Sequence, residues 1–306
     1  MKRILIGIMS TPQSFQRREF IRNTWFTNVP NSVSSYFVIS KYYSIIDDQY
    51  DILKVDAPET YPPGFKVLEF LKTCTSDSKN SFCIKTDDDV VIHAPKLVPT
   101  LKKIYEKTPI VYMGATLWAS YSPTHFQVCG HGMGPKSANS AYLNENCKEI
   151  GSIGPFPYAA GVLEVLSYDL AFWIVYNSSA REFTSNALIS KKWKKGEDTV
   201  MGMFVYESPF PTTAIHAGWD KIHDLCFECK DKTQLWRPVT KSSLAVHLKS
   251  HQAVYENYKN VFKNMTKLCD YDCQQTPLEM VINDLRDVCS LYDEMLFHYR
   301  LCEYDY

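Results

Sequence analysis

The chain has 306 residues, enough to bury a full core as one large α/β domain or two small ones. Its 33 basic and 34 acidic residues nearly balance, for a formal charge of −1, and there is no long basic run, which excludes a nucleic-acid footprint. The apolar run Ile4–Met9 is far too short to cross a bilayer, which takes ~20 residues, so membrane association is expected only through an anchor absent from this chain.

Taken in chain order, Lys2–Met9 reads as a buried first strand, and Ser10-Thr11-Pro12 as a turn with helix-start chemistry. Phe15–Phe26 has helical apolar spacing, with Arg17, Arg18 and Arg22 on its polar side. Strands are expected over Val33–Ile39 and Asp51–Val55, and a helix over Gly64–Ser76 with Val67, Leu68, Leu71 and Cys74 on one face. A strand ending in three acids follows, then a helix over Pro95–Lys107 and a strand over Ile110–Ala115. Strands alternating with helices predict a parallel, doubly wound sheet, with its ligand at the carboxyl ends of the strands. Residues 117–160, rich in Gly, Pro, Ser, Asn and Tyr, read as a long aperiodic region on the acceptor side. Beyond it, helices are expected over Tyr168–Tyr176, Glu197–Tyr206, His251–Phe262 and Pro277–Leu301, and a strand over Ser243–Leu248.

The chain has ten cysteines: Cys74, Cys83, Cys129, Cys147, Cys226, Cys229, Cys269, Cys273, Cys289 and Cys302. An even count clustered late favours disulfides in an oxidising compartment, centred on the Cys226–Cys229 and Cys269–Cys273 region. The same two pairs could instead form a four-thiolate zinc site. The sequons Asn177-Ser178-Ser179 and Asn264-Met265-Thr266 are compatible with a secretory route.

The segment Phe82-Cys83-Ile84-Lys85-Thr86-Asp87-Asp88-Asp89-Val90-Val91-Ile92 carries the strongest chemical signal. Three consecutive carboxylates between apolar runs repel one another, and burying one without a partner costs several kcal/mol. A divalent metal bound by hard carboxylate oxygens would relieve them, and it would suit a diphosphate leaving group. The bland alternative is a solvated acidic turn. Arg17, Arg18 and Arg22 read equally as a phosphate clamp and as an acid-paired helix face. Trp25 reads as core, and His216, His223 and His251 as competing metal ligands.

Four segments, in this order, resemble the β-1,3-galactosyltransferase family of inverting sugar-nucleotide transferases, which includes β-1,3-N-acetylglucosaminyltransferases. They are Gln16-Arg17-Arg18-Glu19-Phe20-Ile21-Arg22-Asn23-Thr24-Trp25, Lys85-Thr86-Asp87-Asp88-Asp89-Val90, Phe156-Pro157-Tyr158 leading to Val165-Leu166-Ser167-Tyr168-Asp169-Leu170-Ala171, and Gly196-Glu197-Asp198-Thr199-Val200-Met201-Gly202. The resemblance implies a GT-A fold over residues 1–262, an α/β doubly wound, mostly parallel sheet with an acceptor-binding half. It leaves 263–306 as a Cys-containing helical C-terminal extension. It further implies Mn²⁺, a UDP-sugar donor, a glycan or glycoprotein acceptor, and a Golgi protein facing the lumen.

Carried over by residue, Asp89 would bind the metal together with His247 of Leu244-Ala245-Val246-His247-Leu248. Asp87 and Asp88 would lie on the donor side, with Asp87 touching ribose or uracil. Asp198 would be the base that takes the acceptor's proton. One departure stands out. The family's Cys and Gly-rich run is replaced by Ala159-Ala160-Gly161-Val162-Leu163-Glu164, so Val162 and Leu163 are expected to narrow the sugar site. That departure motivates an alternative, a glycan-binding pseudoenzyme of the same fold. A third reading, a metal-dependent phosphohydrolase, requires a second metal-ligand cluster near Asp89.

Overall fold

The computed structural model describes residue 1 and residues 3–60, 63–133, 151–190, 196–224, 239–240, 242–247 and 299–303. Its centre is strand β1 (Arg3–Met9). Ile4, Ile6 and Ile8 point to one face and Leu5 and Met9 to the other, all of them buried, as the two-residue repeat of an inner strand requires. The main sheet adds β2 (Val33–Ser40), β3 (Ile52–Val55), β4 (Asn80–Asp87), β6 (Val111–Gly114), β10 (Glu164–Ser167), β11 (Thr212–His216) and β14 (Tyr299–Glu303). These eight strands lie in the order β14-β11-β6-β10-β4-β1-β2-β3. Most neighbours are parallel, but β10 runs antiparallel to both β4 and β6.

Helices cover both faces. On the Ile4 face, Ile21 of α1 (Phe15–Arg22) and Leu97, Leu101 and Ile104 of α3 (Ala94–Tyr105) join the core. The Leu5 face is closed by α2 (Gly64–Thr75), α4 (Tyr168–Tyr176), α5 (Ala180–Ser190) and α6 (Glu197–Tyr206) through Phe70, Ile174, Phe183 and Met203. This is the α/β, doubly wound arrangement that the alternating pattern predicts, with a mixed rather than purely parallel sheet. Two smaller sheets complete it. One has the order β12-β13-β5, from β5 (Val90–Ile92), β12 (Ile222–His223) and β13 (Ala245–His247). The other has the order β8-β7-β9, from β7 (Thr116–Ser122), β8 (Gln127–Gly132) and β9 (Ile153–Ala159).

Several expectations are corrected. The first helix stops at Arg22, and Trp25–Asn28 is a 3₁₀ turn that sinks Trp25 into the core. Thr24 contributes to the stop, because its hydroxyl donates to the Phe20 carbonyl at 2.7 Å and competes with helical bonding. The region read as aperiodic holds β7, β8 and β9. The prolines Pro155 and Pro157 conceal β9, which tolerates them because it is an edge strand. Tyr299–Glu303 is a strand parallel to β11, so the helix expected through Leu301 does not reach its predicted end. The rest of that helix, and the one expected over 251–262, lie outside the described residues.

The cysteine expectation also shifts. Within the described residues a disulfide joins Cys74, near the end of α2, to Cys83 of β4, earlier in the chain than the late clustering suggests. Cys129 is bridged as well. Cys226, Cys229, Cys269 and Cys273 lie outside the described residues.

Candidate active site

The acids sit where the fold predicts. Asp87 is the last residue of β4, and Asp88 and Asp89 form the turn into β5. β5 pairs antiparallel with β13 in a register that sets His247 opposite Val90, which brings a histidine from far along the chain beside the turn. His247 Nε2 lies 3.3 Å from Asp89 Oδ1, and its Nδ1 lies 3.2 Å from Asp224 Oδ1. Burial alone would lower the His247 pKa, but Asp224 and Asp89 raise it to about 9. Burial works to raise Asp89, yet the imidazole holds it below the usual carboxylate value. Asp224 belongs to no sequence motif. It enters because β12 runs beside β13.

The arginines divide. Arg17 Nη1 donates to Asp88 Oδ1 at 2.6 Å and lies 3.8 Å from Asp89 Oδ2, on the wall of the cleft. Asp88 Oδ2 also accepts from the Ser10 hydroxyl at 2.8 Å. With one oxygen on Arg17 and the other on Ser10, Asp88 orients Arg17 on the cleft wall. Arg18 is fully buried, and all five of its N–H groups are used on Asp47, Ser10 and the Thr11 and Pro12 carbonyls. Arg22 grips Asp51 with two bonds, at 2.7 and 2.8 Å, and also reaches Asp47 and Glu19. Neither Arg18 nor Arg22 lines the cleft. The acid-paired reading holds for these two, and only Arg17 remains for a phosphate.

A cleft of about 690 Å³, within the range of small-ligand sites, opens over these groups. Its walls include Met9–Ser14, Tyr43, Glu59, Lys66, Asp87–Asp89, Glu197 and His247. Lys66 is buried and donates to the Ser10 carbonyl at 2.6 Å and to Glu59 Oε2 at 2.7 Å, which braces the loop after β1.

Beside Asp87 of the cleft wall lies Gly161, in the turn between β9 and β10. Thr86 fixes this turn to β4 by donating to the Val162 carbonyl at 2.8 Å. A Cβ at Gly161 would lie 3.0 Å from Lys85 Nζ, 3.8 Å from Asp87 Oδ2 and 3.9 Å from Asp198 Oδ2. The missing side chain thus leaves a notch flanked by two carboxylates and floored by a lysine. Val162 and Leu163 are buried in the core and leave the cleft wall untouched, which corrects the expectation that they narrow it.

Asp198 occupies the first turn of α6, which Gly202 seats directly on β9. A Cβ at Gly202 would come within 2.4 Å of the Tyr158 Cβ. Asp198 Oδ1 accepts from the Thr199 amide at 2.7 Å and Oδ2 from the Gly161 amide at 3.3 Å. Burial and the neighbouring Glu197 raise its pKa, and Lys85 opposes them. Glu197 lines the cleft, whereas Asp198 lies beside Gly161 and is not part of the cleft wall. Lys85 and Glu164, which lie within quoted segments but to which the sequence assigns no role, are buried beneath the notch. Burial pushes Glu164 up to about 8.

His216 and His223 are structural. His216 Nδ1 accepts from the Thr116 amide at 2.9 Å, and His223 Nε2 bonds the Ser243 hydroxyl at 2.6 Å. His251 lies outside the described residues. Among the described residues, no group of three His, Cys, Asp or Glu side chains could hold a metal by itself, and the second cluster that a phosphohydrolase requires is not among them. Asp89 and His247 do fit as part of a metal site, because their facing oxygen and nitrogen form a mixed donor pair suited to a divalent ion that takes its remaining ligands from phosphate or water.

Fold and cleft together define an α/β protein with an acidic ligand site at the carboxyl ends of its strands. The family is more particular: residues 16–187 match the galactosyltransferase family model, more than half of the chain, and the chain belongs to this family of glycosyltransferases. The match takes in Arg17, Asp87–Asp89 and Gly161 and ends before Asp198 and His247. Among solved structures, the chain is similar to the galactosyltransferase LgtC in complex with donor and acceptor sugar analogs, at 9% identity and a TM-score of 0.42, covering 90% of this chain and 98% of that one. An active-site mutant of LgtC gives 10% identity and a TM-score of 0.43, with the same coverage. Comparison with curated proteins finds no match.

Proposed function

We propose that this glycosyltransferase is an inverting, UDP-sugar-dependent enzyme of GT-A type that moves a hexose, galactose or an N-acetylhexosamine, to a glycan hydroxyl in β-1,3 linkage. The observation that carries the reading is the Gly161 notch, where Asp87 from the strand end and Asp198 from the start of α6 converge on one point. Asp198 takes the proton of the acceptor hydroxyl while that oxygen forms its bond to the anomeric carbon. The bond from that carbon to the phosphate oxygen breaks, and UDP leaves with the electron pair. A base for such a displacement must lie on the face opposite the leaving group. The position of Asp198, beside Gly161 and apart from the wall that carries Arg17, Asp89 and His247, supports that role.

Arg17 binds the diphosphate, and Asp88 holds Arg17 in position. Mn²⁺, held by Asp89 and His247, would supply positive charge to the departing diphosphate. The glycan-binding pseudoenzyme keeps as its motive only the missing Cys and glycines, since Val162 and Leu163 are buried away from the cleft wall.

The proposed compartment is the Golgi lumen. The bridged Cys74, Cys83 and Cys129 and the sequons support an oxidising, secretory setting. Among the described residues no helix is long and apolar enough to cross a membrane.

The test is a donor screen. UDP-galactose, UDP-N-acetylglucosamine, UDP-N-acetylgalactosamine and UDP-glucose are each incubated with glycan acceptors, with and without Mn²⁺, and UDP release and product anomeric configuration are read. One donor giving Mn²⁺-dependent transfer with inverted configuration supports the reading. No transfer from any donor, or a retained configuration, rejects it.

A further inference from the structure

Lys85 stands two residues before the end of an inner strand with its side chain 1% exposed. A buried ammonium needs an acid partner, and one suffices to neutralise it. This one has three within 3.5 Å, from three different elements: Asp87 Oδ1 on β4 at 3.3 Å, Glu164 Oε1 on β10 at 3.5 Å and Glu197 Oε1 on α6 at 3.4 Å. It also donates to the Gly161 carbonyl at 3.2 Å, directly under the notch. The register explains how they meet, because Lys85 and Glu164 face each other in the antiparallel pair of β4 and β10. One cation thus joins the donor-side acid, the helix that carries the base and the turn between them.

We infer that Lys85 is a positioning residue for the transfer step. Its ammonium gathers Asp87, Glu197 and the Gly161 turn around the notch and supplies the positive charge beneath Asp198. The inference rests on Asp198 being the base. Around Asp198 stand Glu197 on its own helix, Asp87 and Lys85 on β4, Glu164 on β10 and Tyr158 on β9. All but Lys85 are acids or a phenol, so Lys85 alone of this group favours the ionised carboxylate that a base requires. Glu164 holds its proton at neutral pH and leaves the lysine's charge to the other acids.

The test compares Lys85→Met/Glu164→Gln with Glu164→Gln alone. The pairing removes Glu164, the most buried of the three acids, together with the lysine. UDP release from UDP-galactose is followed across pH, with thermal melting as the check on folding. The double variant is expected to lose at least roughly tenfold in kcat at neutral pH. Its acid limb should move up by about one unit or more, so that part of the loss is recovered at high pH, and donor KM should change less than kcat. Lys85→Arg, which keeps the charge, should leave the acid limb in place whatever its kcat. An acid limb that stays fixed in the double variant, with the same loss at every pH, overturns the inference, as does an unchanged kcat. A separate arm with Asp198→Asn distinguishes the two failures. Near-wild-type turnover there rejects the base, whereas an unmoved acid limb in an enzyme that needs Asp198 rejects the lysine's role.

Discussion

At the scale of single residues, the site is a contest between burial and charge. Glu164 illustrates the sign of that contest. Its folded pKa, about 8, stands above the ordinary value of 4.5 because burial disfavours its anion. Between those two values the native state holds a proton that the unfolded chain has released, so stability falls as pH rises from about 4.5 to 8. Glu164→Gln removes the group that titrates. Denaturant unfolding across that window should then give a flatter pH dependence than the wild type, and an unchanged slope would refute the assignment. Asp89 makes a different prediction. Asp89→Ala should weaken Mn²⁺-dependent UDP binding by at least about tenfold in titration calorimetry. Unchanged affinity in the presence of Mn²⁺ would remove Asp89 from the metal.

At the scale of elements, sequence periodicity locates what local physics determines. The helices at Tyr168–Tyr176 and Glu197–Tyr206 appear at their expected limits, and Asp87 does lie at a strand end. What is hidden depends on distant partners. β7, β8 and β9 become strands by pairing with one another, and Tyr299–Glu303 by pairing with β11 against its own helical pattern. The Cys74–Cys83 disulfide is equally illegible. Its cysteines sit on an apolar helix face and in an apolar strand, where each reads as a small buried hydrophobe. By clamping α2 to the strand that carries Asp87, the bridge should add about 2–3 kcal/mol. Replacing both cysteines by alanine should lower the denaturant midpoint accordingly without abolishing turnover. A midpoint equal to that of wild type would show that the bridge adds nothing.

At the scale of the whole molecule, the site is a meeting of segments that lie far apart in the chain. The acidic run was legible from charge set between apolar stretches, and the Glu197-Asp198 pair and His247 through the family resemblance. The roles of Lys85, Glu164 and Asp224 were not. They exist only because β10 inserts beside β4 and β12 beside β13. Conversely, Arg18 and Arg22 read equally as a clamp or an acid-paired face in sequence, and Asp47 and Asp51, which arrive from the loop between β2 and β3, decide for the second.

The central claim is that this assembly transfers a sugar with Asp198 as its base, and the kinetics of Asp198→Asn test it most directly. That change keeps the side chain's shape and removes its ability to accept a proton. With the donor found in the screen, kcat should fall by roughly 10²–10⁴-fold while UDP-sugar affinity stays nearly intact. Turnover close to wild type in Asp198→Asn, or a dead Glu197→Gln beside an active Asp198→Asn, would contradict it.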